Sequence, residues 1–414
     1  MSDKHNDNDY TFERVPGTAR KGLLPMFFIM LGFTFFSASM SVGATLGNGL
    51  TLTSFYTSVF YGGVLLSIYT GTLAYIGCTT GLSFDLLARR AFGSKGSMFP
   101  SFIIALTQSG WFGVGAAMFA MAGAQVVGCN RWVLIILAGV CMTTSAYFGI
   151  KGMEIVSYIS VPLILVLGIF SVYKALNEGG GLMAVFEGHE DTMTTIEGIG
   201  LVVGSFVSGG TTTPNFARFA KGRQVAVFVT VVAFSIGNSL MFAFGAVGGA
   251  FTGKEDIFYV MIAQGLTIPA LIVLGANIWT TNDNALYSCA LGLSNITKVP
   301  KRPMVIVAGT FGTLASVWIY EHFVTWLTLL NAILPPIGAI IMIDFFTGRR
   351  HYRAEEDDKI CVVNIGSIVG IIAGAVVGIY VKDFGITTIN SMVTACFCYV
   401  IFNCRRLFRN NACK

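Results

Sequence analysis

Apolar residues run along this 414-residue chain in blocks close to the ~20 residues that a bilayer crossing needs. Twelve such spans can be drawn, near 23–45, 54–77, 99–127, 132–150, 153–176, 195–219, 224–250, 267–293, 304–320, 323–346, 361–380 and 385–403. Each is predicted to be a helix, because a single segment in lipid can satisfy its backbone only internally. Polar and charged residues gather in the connections. Where they intrude into the spans, they mark candidate function, since polar groups at membrane depth usually face a cavity or a protein interior.

Span 8 carries the densest intrusion, from Asn277 through Trp279, Thr280, Thr281, Asn282, Asp283 and Asn284 to Tyr287. On a helix, Asn277, Thr280, Thr281, Asn284 and Ser288 form one stripe. It offers neutral oxygens and amides without a fixed charge, a supply of ligands for a hard cation such as sodium. The alternative is hydrogen bonding between helices.

Spans 1 and 6 are expected to be broken. Span 1 turns from Phe35-Phe36 into the small, polar run Ser37 to Gly47, which includes Ser39. Span 6 reads Ser205, Phe206, Val207, Ser208, Gly209, Gly210, three threonines and Pro214. Paired glycines weaken a helix and proline removes a donor. Interruptions at positions 1 and 6 are what a five-plus-five inverted repeat gives, and they point to the binding site. Pro162 in span 5 and Pro335-Pro336 in span 10 are a weaker echo, since proline is common in membrane helices. In span 3, Gln108 and Trp111 share a face. A mid-span Trp is off the usual interfacial belt. Gln108 could bond a flat polar ligand while the indole stacks on it; packing is the alternative.

Composition fixes the class. The chain is 54% hydrophobic and 11% charged, against about 25% charged in soluble domains. Of its 26 Lys and Arg, all but Arg131, Lys174, Lys254 and Lys382 fall in the tails and in the connections that face the same side as the N-terminus. The positive-inside rule therefore places both termini in the cytoplasm. The net charge of +5 is a topology signal and says nothing of nucleic acid. Residues 1–20 are polar, lack the apolar core of a leader peptide, and are expected to be a loose cytoplasmic tail. The nine cysteines and four histidines show no zinc spacing, and no catalytic cluster lies in the membrane, so an enzyme is not expected. No charged residue falls near the middle of spans 1, 3 or 6. A charged substrate would want a paired counter-charge, so the substrate is expected to be neutral, flat and polar. The same absence favours sodium over proton coupling, with Asp283 as the one titratable group nearby.

The segments Leu31 to Met40, Thr107 to Gly115, Val203 to Ser208, Ile236 to Met241, Met261 to Gly265 and Asn277 to Tyr287 resemble the nucleobase–cation symporter family, in particular its bacterial cytosine-carrying members. The resemblance runs from about Arg20 to the end of span 12. It implies an all-α polytopic membrane protein of twelve transmembrane helices with the leucine-transporter type of fold. The core would be 21–346, with inverted repeats at about 21–176 and 195–346, broken helices 1 and 6, two extra helices over 361–403 and a cytoplasmic tail over 404–414. It implies import of cytosine by sodium symport through alternating access in the bacterial inner membrane, by a protein working as a monomer. The base would lie between Trp111 and Phe206, its edge read by Gln108, Asn277, Ser205 and Ser208. The co-transported sodium ion would meet main-chain carbonyls of Phe36, Ser39 and Asn277 and the hydroxyls of Thr280 and Thr281. A symporter of another neutral heterocycle (a hydantoin, allantoin, another nucleobase or a vitamin), a proton-coupled carrier, or an uncoupled facilitator are the alternatives.

Overall fold

A computed structural model describes residues 10–147, 150–348, 352, 360–381 and 384–409. Residues 1–9 and 410–414 of the expected tails lie outside it. Helices occur at each of the twelve expected spans: Leu23–Thr34 with Ser37–Gly49, Leu52–Thr80, Met98–Val127, Arg131–Ala146, Ile150–Glu178, Thr195–Thr212, Arg223–Thr252, Gly275–Thr297, Lys301–Glu321, Phe323–Thr347, Ile365–Tyr380 and Thr387–Arg409. Among the described residues, seven stretches of helix are long and apolar enough to cross a membrane by themselves, and the bent pair of span 1 makes an eighth. The helices of spans 4 and 11 are short. Those of spans 6 and 8 are diluted by glycine, threonine and asparagine.

Span 1 breaks where expected. Phe35 and Phe36 leave the helical region, and the two halves meet at 49°. Span 6 does not break at its glycine pair. The helix runs from Thr195 through Gly209 and Gly210 to Thr212, and a short helix Pro214–Ala217 follows after Thr213. The glycines serve packing instead. A Cβ on Gly209 would stand 2.7 Å from Phe33 Cζ and one on Gly210 2.9 Å from Thr70 Cγ2. The prolines of spans 5 and 10 also sit inside continuous helices. Two π turns, Ala233–Gly237 in span 7 and Ala270–Leu274 at the start of span 8, had no clear signature in the sequence. Such turns are frequent at functional sites.

The second half of span 1 lies against span 7 across a seam of small residues. A Cβ on Gly43 would approach Phe242 O to 2.2 Å, and one on Gly47 would approach Ala246 O to 2.3 Å. Glycine at a four-residue spacing lets two membrane helices meet backbone to backbone. This seam carries the polar half of span 1 into the centre of the bundle.

One end of the bundle is crossed by residues 10–21, which pack in place and are not the loose tail expected there. Val15 N–H donates to Gly81 O at 3.0 Å, and Lys21 pairs with Ala220 as a β-bridge. Arg14 donates to Thr80 O at 3.0 Å and to Tyr352 O at 2.6 Å. The strap thereby ties span 2 to the segments after spans 6 and 10.

Candidate functional site

Spans 1, 3, 6 and 8 meet at a small buried cavity of ≈ 30 Å³. Trp111 and Gln108 reach it from span 3, Ser205, Phe206 and Gly209 from span 6. Phe33 and Phe36 come from the first half and the break of span 1, and Thr281, Asn282 and Ala285 from span 8. None of these side chains is charged. Gln108 and Trp111, one turn apart on span 3, open on the same space.

The aromatic rings are held by edge-to-face contacts. Trp111 meets Phe36 at 5.7 Å and Phe323 at 5.9 Å between ring centroids. Phe206 meets Phe33 at 5.4 Å and Phe234, of the span 7 π turn, at 5.3 Å. Such pairs add ~0.5–1.5 kcal/mol beyond the area they bury, so both cavity rings are braced from behind.

The expected polar readers divide into those that face the cavity and those that support it. Gln108 Nε2 donates to Ser208 Oγ at 2.9 Å, and Ser208 donates to Thr107 Oγ1 at 3.3 Å. Ser208 thus orients Gln108 from outside the cavity lining. Ser205 lines the cavity, its hydroxyl donating to Val202 O at 2.8 Å. Asn277 does not line it. Its Oδ1 accepts from Ser37 N–H at 2.9 Å and from Ser37 Oγ at 2.8 Å, and its Nδ2 donates to Phe35 O. The side chain clasps the break of span 1 by satisfying the backbone groups that the break frees.

The expected ion ligands are partly assembled. Phe36 and Thr281 share the cavity wall. Thr281 Oγ1 bonds back to Asn277 O at 3.2 Å. Thr280 Oγ1 donates to Ser160 Oγ of span 5 at 2.9 Å, which leaves its oxygen able to accept or to ligate. Ser39 is buried, and its hydroxyl has no hydrogen-bond partner among the described residues.

Asn282 is a wall residue that the stripe of span 8 left out. Its Nδ2 donates to Phe112 O at 3.1 Å. A carbonyl can only accept, so the amide is oriented, and its buried Oδ1 has no partner among the described residues beside the cavity. Gly115 makes room for it, since a Cβ there would lie 2.6 Å from Asn282 Oδ1. Asp283, one residue on, turns away from the cavity and accepts from Ser145 Oγ at 2.6 Å.

Beyond Phe323, a larger cavity of ≈ 420 Å³ reaches the end of the bundle opposite the strap. It is lined in part by Ser41, Glu255, Asp256, Glu321 and His322. Asp256 accepts from Tyr320 OH at 2.6 Å, and burial holds its carboxyl above the ordinary range. Phe323 belongs to the wall of this cavity and packs edge-on against Trp111, which belongs to the wall of the smaller one.

Comparison with known proteins shows the family. The model of a family described as permeases for cytosine/purines, uracil, thiamine and allantoin matches residues 14–401. The chain belongs to this permease family. It is 45% identical over 398 residues to the cytosine permease of Escherichia coli K12, covering 96% of this chain and 94% of that one. The hydantoin permease of Microbacterium maritypicum is 25% identical over 300 residues, 65% of this chain and 61% of that one. The fold matches that of a nucleobase-cation-symport-1 family transporter in a closed conformation with bromovinylhydantoin bound, at a TM-score of 0.84 and 19% identity, over 98% and 96% of the two chains. A Na⁺-coupled sialic acid symporter in an outward-open state matches at a TM-score of 0.72 and 16% identity, over 99% and 94%. This is a multi-pass membrane transporter, and its relatives are permeases.

Proposed function

We propose that this permease imports cytosine by sodium symport, with the base held between Trp111 and Phe206. The observation that carries the reading is the central cavity itself, which joins two braced aromatic rings to uncharged amide and hydroxyl groups. Cytosine is flat, neutral and rich in donors and acceptors. The 45% identity to a cytosine permease supports the same substrate. Phe36, edge-on to Trp111, would turn aside to admit a base. Gln108, held by Ser208, and Ser205 would meet the base's edge. Asn282 Oδ1, an oriented acceptor, would favour a ring bearing an amino group over one bearing a carbonyl there.

In the same reading, sodium sits between the break of span 1 and span 8, on carbonyls of Phe36, Ser39 and Asn277 and the hydroxyls of Thr280 and Thr281. The Asn277 clasp supports this, because it couples the two elements that would share the ion. The ion would fix the break in a form that completes the base site, so the two ligands bind cooperatively. The two repeats then rock about the site between faces of the bacterial inner membrane, the protein working as a monomer with both ends in the cytoplasm.

The test is labelled cytosine uptake into proteoliposomes, with an inward sodium gradient against equal potassium. Sodium-dependent accumulation competed by cytosine and not by uracil is expected. Trp111→Ala should weaken cytosine binding about 5- to 150-fold, the equivalent of ~1–3 kcal/mol per stacked base. Unchanged affinity would return Trp111 to packing, and accumulation without sodium dependence would remove the symport.

A further inference from the structure

The polar face of span 8 extends beyond the site described above. Its polar stripe continues past Thr281 to Asn284 and Ser288, both buried. At 1.5 Å per residue these lie about 6 and 12 Å beyond Thr280 along the helix. The rungs on either side are tied. Thr280 bonds Ser160 of span 5, and Ser288 Oγ accepts from Asn215 Nδ2 at 3.3 Å. Asn215 O accepts from Arg218 Nε at 3.2 Å, and Arg218 donates to Tyr10 O of the strap at 3.0 Å. Asn284 stands between these rungs, 1% exposed, with neither Oδ1 nor Nδ2 hydrogen-bonded among the described residues. A residue needed only for packing would not carry an unpaired amide there, because leucine has the same bulk without the desolvation cost.

We propose that Asn284 is a transient cation site. An alkali cation leaving the threonine pair steps onto its amide oxygen, then passes Ser288 and Asn215 toward the end of the bundle closed by Arg218 and the strap. Neutral oxygens suit a stage of this kind, since a relay must bind strongly enough to admit an ion and weakly enough to release it. Arg218 is fully buried at the end of the ladder, and its charge opposes passage until the strap shifts. The inference rests on the sodium-symport reading.

The experiment compares two fluxes of the full chain in proteoliposomes, after sodium dependence has been measured for the unaltered protein. Net sodium-driven cytosine uptake requires the ion to leave inside the vesicle at every cycle. Cytosine counterflow, with equal high sodium on both sides, does not. In Asn284→Leu, net uptake should fall about tenfold, roughly the loss of one contact to a charge, while counterflow and the sodium dependence of cytosine binding stay within about twofold. Asn284→Thr, which keeps an oxygen, should recover most of the net uptake. If the leucine variant does not accumulate, Asn284→Ala carries the same expectation. Unchanged net uptake overturns the proposal. So does a parallel fall in uptake, counterflow and binding, which is the signature of a packing defect. Uptake by the unaltered protein that ignores sodium is a different failure, that of the symport reading itself.

Discussion

Spans 1 and 6 carry similar warnings in their sequences, small residues and hydroxyls at mid-span, yet only span 1 breaks in the middle. The difference lies in what receives the freed backbone. At Phe35 to Ser37 one carbonyl and one N–H are taken by a single side chain, Asn277, from another helix. Span 6 has the residues that weaken a helix, but Gly209 and Gly210 lie against Phe33, Phe206, Thr70 and Tyr69. Their lack of a side chain lets neighbours close in, and the intact helix keeps its own hydrogen bonds. Glycine permits a break; an external partner for the backbone makes it stable in a medium without water.

The largest expected effect follows from removing that partner. Asn277→Leu leaves Phe35 O and Ser37 N–H unpaired, at about 1–3 kcal/mol for each buried group. Sodium-driven uptake should be lost, and thermal unfolding in detergent should move to clearly lower temperature. A leucine variant with unaltered transport and unfolding would show that the clasp is incidental.

Gly209→Ala gives a smaller effect whose sign separates two roles. Alanine favours a helix by about 1 kcal/mol over glycine. A methyl group 2.7 Å from Phe33 Cζ must displace a ring that also supports Phe206, and overpacking costs about 1–3 kcal/mol. Packing therefore predicts lower stability and roughly tenfold weaker cytosine binding, read by calorimetry. A stabilised variant with normal binding and slow transport would mean that the glycine is there for flexibility.

Pro214→Ala should do least. Pro214 begins its short helix, where the missing N–H costs little. Stability within about 1 kcal/mol of the unaltered chain is expected by denaturation. A larger loss would move the functional interruption of span 6 to Thr213 and Pro214.

Much of the site was legible because helical spacing is local. Gln108 and Trp111 share the cavity, as their positions one turn apart require. Thr281 reached the wall as a member of the polar stripe of span 8, whereas Phe206 was picked out only through resemblance to a family. Phe33 and Ala285 gave no sign, since an aromatic or a small residue in an apolar span reads as packing. Asn282 stood in the polar segment yet off the chosen stripe. That stripe was correct as geometry, but its members go to different neighbours: Asn277 to span 1, Thr280 to span 5, Thr281 to the cavity, Ser288 to the segment after span 6.

The sequence by itself determined the helical segments and the membrane class, because a hydrophobic block of fixed length has few other stable forms. It also determined that spans 1, 3 and 6 would bring no charge to the centre; that Asp283 of span 8 turns away toward Ser145 is a tertiary fact. Only the tertiary structure decided which polar group serves the cavity and which serves the backbone. An asparagine can read a ligand or clasp a broken helix with the same atoms. The choice depends on which helix lies opposite, and that is set by long-range packing such as the glycine seam between spans 1 and 7.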